Sequence, residues 1–469
     1  MFPFLLFTNR KSISGHGNIT WTSSRIKKPY NIDLPYYHSL LGFKENDSFC
    51  LLANNSDVTQ MRNWIGYRTS QMLCPDNSVD CEYVALWTNG DYRGLYLLVN
   101  KVNRKQIGLS KLQDETEGCN KKKLKKFNTT TLYGQAPYQN DEMLKGISGA
   151  NNPTNITGGY LFEMHPKRAG DIQYLYSNTG FRSRYETRYG FRYPKYATIE
   201  QVQYVKEQYD QMAEALYSSS GQNFHGKHYS SMLDIESFAN LYLMQELFAN
   251  SDCNKSVYIY KHRDDNLFRA GPLWDMDLTM GIGGRGYELP NAFYVRMPYK
   301  LRADEDRQNI YPGFFPALCQ HEDFNTKVTE VFFSNREALL EFFMGENCKV
   351  DSLTAILTDE VQHDSRRNKT TLNTEKWQKA IYDLKKFMID RITFLSDEWG
   401  NESNSQKCYV TIDINVNTIY TLIGIPVVCG EKVNLPNTDG RRILTSDGKV
   451  FIPSTPVKHN MTLIYEKAE

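Results

Sequence analysis

Four side chains of the kind that hold cations or handle protons stand close together in the chain. Asp252 and Asn254 fall in "ANSDCNKS", and Asp275 and Asp277 follow in "GPLWDMD", with Asp275 23 positions beyond Asp252 (252 to 275). Gathered carboxylates are costly unless a cation neutralises them. Hard oxygen donors from one or two carboxylates plus an asparagine suit Mg²⁺, which takes its remaining ligands from water and phosphate. A lone D-x-D also reads as an ordinary polar turn, so the question is whether the chain folds the two acidic stations together.

The elements around them are expected to do so. Residues 233–250 read as a helix that begins at Asp234 and is apolar along Ile235, Phe238, Leu241 and Met244, leaving Asp252 and Asn254 just past its end. The run "VYIY" (257–260), the polar turn "KHRDDN" and the short run "LFRA" (267–270) then read as a hairpin. Paired strands return their far ends to each other, which places Asp252 beside Asp275. Protein kinases use this running order: a catalytic Asp and Asn, a hairpin, then a metal-binding Asp.

The whole chain constrains the partners. With 55 Lys and Arg against 54 Asp and Glu in 469 residues, net charge gives no reason to expect nucleic acid or an anionic membrane. Abundant Tyr (31) and Phe (24) argue for a packed, folded chain rather than disorder. No apolar run approaches the roughly 18 residues of a transmembrane segment, and "MFPFLLF" is too short for a signal peptide. The expected location is extracellular or cell-surface if a leader has been removed, and otherwise cytoplasmic or, as the family resemblance described below implies, the spore coat. Nine cysteines include no C-x-x-C, although a Cys74–Cys81 disulfide is open. Triplets of the N-x-S/T type are frequent, for example at Asn18, Asn128, Asn155 and Asn368, and matter only in a eukaryotic secreted setting.

Four regions follow from the patterning. Residues 1–110 are expected to be β-rich, with "YNIDL" a strand, Asn89-Gly90-Asp91 turning a hairpin, and a helix capped by Asp57 or Thr59 carrying Met61, Ile65, Tyr67 and Met72. Residues 111–157, with the basic run "NKKKLKKF", read as a long insertion or loop. Residues 158–400 read as mainly helical around the hairpin, and 405–469 as a small β module.

Several stretches together resemble the CotH family of atypical protein kinases. "GPLWDMDLTMG" is similar to that family's G-P-[LIV]-W-D-F-D-x-x-x-G signature. "GNITW" (17–21), "KKPYNIDL" (27–34), "LLANNSDVTQMRN" (51–63) and "NGDYRGLYLLVNKV" (89–102) resemble further family motifs in the same order. The resemblance spans roughly residues 15–400. It implies an α+β, kinase-like two-lobed fold, with a β-rich N-lobe and a mainly helical C-lobe, and phosphorylation of Ser or Thr in protein substrates with ATP and Mg²⁺.

Carried over by residue, the resemblance makes Asp252 the catalytic aspartate and Asp275 the Mg²⁺ ligand, with Asp277 and Asn254 as further ligands or their support. Lys27 or Lys28 would grip the phosphates, helped by the backbone of Gly17 and Asn18; strand phase decides between the lysines, and Lys28 shares a face with Tyr30 and Ile32. Arg62 and Asn63 read equally as a surface ion-pair former and a cap, and Glu163 as a cleft acid or a strand-end carboxylate. Asn100 stands where the family usually has a glutamate, and only 16 residues precede the Gly-Asn motif. The rival expectation is a non-catalytic cell-surface or adhesion protein built on the same domain; a carbohydrate-associated protein is a more distant one.

Overall fold

The computed structural model describes residues 12–17, 21, 26–111, 144–146, 151–165, 179–185, 187–283, 288–296, 314–400, 407–416, 419–435, 442–459 and 461–465. Most of the insertion expected over 111–157, its basic run included, lies outside the described residues.

The N-terminal sheet contains β1 (Ser12–Gly15), β2 (Tyr30–His38), β3 (Asn46–Leu52), β4 (Cys81–Thr88) and β5 (Asp91–Asn100), in the order β1-β2-β3-β5-β4. All its pairings are antiparallel. Asn89 and Gly90 turn the β4–β5 hairpin with φ of 53° and 83°, the paired positive angles that an Asn-Gly hairpin turn requires. β5 alternates cleanly: Leu95, Leu97 and Val99 enter the large core shared with the helices, while Tyr96 and Leu98 join Ile32 and Phe49 on the opposite face. The α1 helix (Arg62–Leu73) adds Ile65 and Tyr67 to the large core. Neither expected cap is its first residue, because Met61 holds that position; Asp57 lies outside the helix yet accepts the Arg62 N–H at 2.8 Å.

The second half carries more sheet than its helical periodicity indicates. Strands β6 (Leu144–Lys145), β7 (Tyr160–His165), β8 (Gly180–Arg182) and β9 (Arg188–Tyr193) precede helices α2 (Ile199–Tyr217) and α3 (Ile235–Leu247). Then come β10 (Val257–Lys261) and β11 (Phe268–Ala270), and the six strands order as β11-β10-β7-β9-β8-β6. β10 is buried along its whole length, flanked by β11 and β7, which is why "VYIY" is a continuous apolar run. Thr198 and Gln201 form a reciprocal capping box at the start of α2. Asp234 does precede α3, but its side chain makes no capping hydrogen bond.

Helices α4 (Phe314–Leu318), α5 (Glu322–Phe343), α6 (Lys349–Arg367) and α7 (Thr374–Trp399) complete this half, making seven α-helices among the described residues. The fold is therefore α+β and two-lobed. A fully buried ion pair ties α7 to α3: Arg391 meets the Glu246 carboxylate at 2.7 Å, and both side chains have 0% exposure. Glu246 also accepts backbone N–H groups from Tyr294 (2.7 Å), Val295 (2.9 Å) and Arg296 (3.0 Å). Arg391 in turn donates to the carbonyls of Pro290, Ala292 and Glu246.

The C-terminal strands β12 (Lys407–Val416), β13 (Ile419–Val428), β14 (Ile443–Thr445) and β15 (Met461–Tyr465) form a separate sheet in the order β13-β12-β15-β14, with its own apolar core. A Cys408–Cys429 disulfide closes it, with Cα atoms 5.1 Å apart. It docks on α7 through Asp413, which accepts from Tyr382 Oη and from Lys386 Nζ at 3.2 Å. The Cys74–Cys81 pairing is corrected, since both are free thiols: Cys81 is buried in the core on β4, while Cys74 follows α1 and lies beside Ser70. The amide of Asn368, in one of the N-x-S/T triplets, is buried and donates to Asp364.

Candidate functional site

α3 ends at Leu247, and a short irregular stretch carries the chain through Asp252 and Asn254 into β10. β11 returns antiparallel to β10, with Ala270 opposite Ile259, and Gly271-Pro272-Leu273-Trp274 leads to Asp275. The two acidic stations meet as a result. Ser256 Oγ donates to Asp275 Oδ2 at 3.3 Å, and the Asp252 charge acts on Asp275.

Asp275 has φ of 65°, a left-handed angle that Asp tolerates better than most residues. It retains accessible surface although protein atoms crowd round its carboxyl. That crowding first, and the Asp252 charge second, hold its carboxyl above the usual range. Asp277 is pushed up to about 8, by burial first and then by the charges of Asp275, Asp57 and Asp252. The Asp275 and Asp277 carboxyls are hydrogen-bonded to each other. Two acids held this close to each other mark a place where a cation would be welcome.

Among the described residues, no three His, Cys, Asp or Glu side chains gather closely enough to enclose a metal by themselves. The donor set still fits Mg²⁺, which is commonly held by one or two carboxylates with water and substrate phosphate supplying the rest. Asn254 adds an independent sign: its Oδ1 is buried without a hydrogen-bond partner, an acceptor left ready for a cation. Asp252 is half-buried, accepts from Lys255 Nζ, and has its backbone N–H bonded to Asn250 Oδ1 at 2.9 Å.

The loop after Asp275 is held from the N-lobe. Arg62 and Asn63 are both buried, so Arg62 is no surface ion-pair former. Arg62 pairs with Asp57 and donates to the carbonyls of Thr279 (2.9 Å) and Met280 (3.1 Å). Asn63 Oδ1 accepts the Met276 N–H at 2.8 Å. α1 comes so close here that a Cβ on Gly66 would sit 2.5 Å from Met276 Cγ. Glu163, on β7, is buried and paired with Arg192, and its charge also reaches Asp275.

The lysines separate. Both precede β2 rather than lying in it, so strand phase does not choose between them. Lys28 is half-buried and donates to the Trp21 carbonyl at 2.9 Å. Lys27 is buried, meets Asp364 of α6 at 3.0 Å and lies over the Tyr96 ring at 5.0 Å. Burial lowers its pKa, and Asp364 opposes that effect. Lys27 lines a cavity of about 290 Å³ together with Asp57, whose charge reaches Asp277. Gly17 has φ of 70° and follows His16, whose ring meets Trp274 edge-on at 6.4 Å; Asn18 lies outside the described residues.

Asp364 is the residue that sequence reasoning missed. It accepts from Lys27, from the Leu95 N–H at 2.8 Å, from Gln60 at 3.2 Å and from Asn368 at 3.1 Å. Asn100, by contrast, is buried with its amide on Lys44 and Asp80, so the usual glutamate position does not face Lys27 through these contacts. What β5 supplies to the lysine's partner is Gly94, with φ of 129°, where a Cβ would stand 2.2 Å from Asp364 Oδ1. Gly94→Ala is expected to lower stability by about 1–3 kcal/mol, read as a shifted urea midpoint. An unshifted midpoint would contradict the close approach.

Fold and site together define the class: a two-lobed α+β protein whose lobes meet around paired acidic stations. A family model described as "CotH kinase protein" matches residues 13–395, and the chain belongs to that family. No curated protein matches the chain. Family membership makes kinase-type chemistry the coarse expectation for its activity.

Proposed function

We propose that the chain transfers the γ-phosphate of ATP to Ser or Thr hydroxyls of protein substrates, with Mg²⁺ as the required cation. The observation that carries this reading is the convergence of Asp252, Asp275 and Asp277 in one electrostatically coupled site, with the unpaired Asn254 Oδ1 two residues along the chain from Asp252. Asp275, Asp277 and Asn254 would hold the cation, which would neutralise charge on the phosphates. Asp252 takes the catalytic role: it orients the acceptor hydroxyl and accepts its proton as oxygen bonds to the γ-phosphorus. The bond to the β–γ bridging oxygen breaks, and ADP leaves with that electron pair.

Lys255 forms an ion pair with Asp252. Lys27 is the better placed of the two lysines to meet phosphate, because it lines a cavity that Asp57 joins to the acidic pair. Gly17, which has a left-handed φ and follows His16 at the Trp274 ring, is suited to bring backbone N–H groups to the same ligand.

Incubation with Mg²⁺ and γ-labelled ATP, followed by mapping of phosphorylated residues, tests the reading; label is expected on Ser or Thr of the chain itself or of added protein. The non-catalytic alternative, a cell-surface binding protein, draws its support from the disulfide-closed C-terminal sheet, since such bonds persist in oxidising compartments. Calorimetry separates the two. The kinase reading expects ATP to bind only weakly once EDTA removes Mg²⁺, whereas a pure adhesin binds neither.

A further inference from the structure

A second cleft, of about 310 Å³, lies behind the Gly271-Pro272 step, between the C-terminal end of α1 and the N-terminal half of α3. Its charge is one-sided. Asp76, Asp234 and Glu236 line it, and the one lining cation, Arg269, is already paired with Asp265. Asp234 stands at the helix start without making a capping bond, so its carboxylate is not consumed by the backbone of α3. Two further acceptors are unused among the described residues. Asn240 is 7% exposed and Asn77 is half-buried, both line the cleft, and the Oδ1 of each is buried without a hydrogen-bond partner.

A wall of carboxylates and orphaned amide oxygens is rich in acceptors, and the group that satisfies it is a multi-donor cation. Lys and Arg side chains offer three and five N–H donors, on a stem long enough to enter such a cleft. The cleft's acids Asp234 and Glu236 stand at the start of α3, whose 13 residues, about 20 Å at helical rise, run toward Asp252. An extended peptide covers that distance in about six residues.

We infer that this cleft docks a basic side chain of the protein substrate, roughly six residues from the hydroxyl that is phosphorylated. The inference rests on the kinase reading for its purpose, but its binding step can be measured without ATP.

The test is fluorescence anisotropy with the full chain and two labelled Ser-containing peptides. One carries a Lys-Arg pair six residues from the serine and the other carries Gln-Gln there. The basic peptide is expected to bind at least tenfold more tightly. The doubly substituted Asp76→Asn/Glu236→Gln chain is expected to bind both at the lower affinity; these two side chains are exposed, so the fold tolerates the change. Asp275→Ala is expected to keep the preference, because it leaves the cleft intact. In phosphorylation of the basic peptide, the double variant should raise KM about tenfold with kcat unchanged. Equal affinity for the two peptides, or an undiminished preference in the double variant, would overturn the inference. A wild-type chain that binds the basic peptide selectively yet transfers no phosphate would overturn the kinase reading and leave the cleft assignment standing.

Discussion

Asp275→Ala and Asp252→Asn are each expected to lower transfer of labelled γ-phosphate by at least about a thousandfold, equivalent to about 4 kcal/mol of lost transition-state stabilisation. The melting temperature should change by no more than a few degrees in either case, the strain of Ala at the left-handed φ of position 275 being about 1–2 kcal/mol. Asp275 is held above its usual pKa range by crowding and by Asp252, so removing its carboxylate relieves repulsion in the folded state. Asp252→Asn keeps the shape of the side chain and removes the charge that would receive the hydroxyl proton. The two variants should fail differently: Asp275→Ala should lose Mg²⁺-dependent ATP binding in calorimetry, whereas Asp252→Asn should retain it. Full transfer by both variants would remove the acidic pair from the mechanism.

The largest expected loss of stability lies elsewhere. Arg391→Ala leaves the Glu246 carboxylate with its backbone donors but without its counter-ion, at a position with no access to water. Breaking a buried pair on one side costs about 3–5 kcal/mol, and Arg391 also holds the Pro290 and Ala292 carbonyls. Arg391→Lys is expected to recover only part of the loss, because one ammonium cannot span carbonyls and carboxylate as the guanidinium fork does. Thermal unfolding with the Glu246→Gln/Arg391→Met double variant completes the cycle. The double variant should be more stable than Arg391→Ala, and a double variant less stable than the single one would show that the pair is not the source of the effect.

The parts of the fold that were legible in the sequence are those set by neighbours in the chain. Asn89-Gly90 dictates its hairpin locally, and the order of helix, acid, hairpin and acid places Asp252 with Asp275 because a two-strand hairpin has only one way to close. The 3.6-residue periodicity of 198–219 and 376–399 marks α2 and α7 closely. Distant pairings were not legible. Asp364 is one acid among many on an amphipathic helix, and nothing near it in sequence announces Lys27 or Gly94. Arg62 looked like a surface residue because its partners, the carbonyls of Thr279 and Met280, are backbone atoms more than 200 positions away. The second sheet was underestimated because its strands are short, from two to six residues. The Cys408–Cys429 connection depends on β12 and β13 pairing in register, which counting cysteines does not give.

The buried acid that receives Lys27 also has a consequence for timing. Gln60 and Asp364, which share that cluster, are 304 residues apart in the chain. At about 5–20 residues per second, a ribosome needs about 15–60 s to add that length after Gln60 has been made. Throughout that interval the lysine has no counter-ion, and its surroundings can close only once α6 has emerged. A nascent chain therefore cannot hold the finished Lys27–Asp364 cluster, and neither can a fragment that ends before α6. Any activity that depends on this cluster should begin only after α6 has been made.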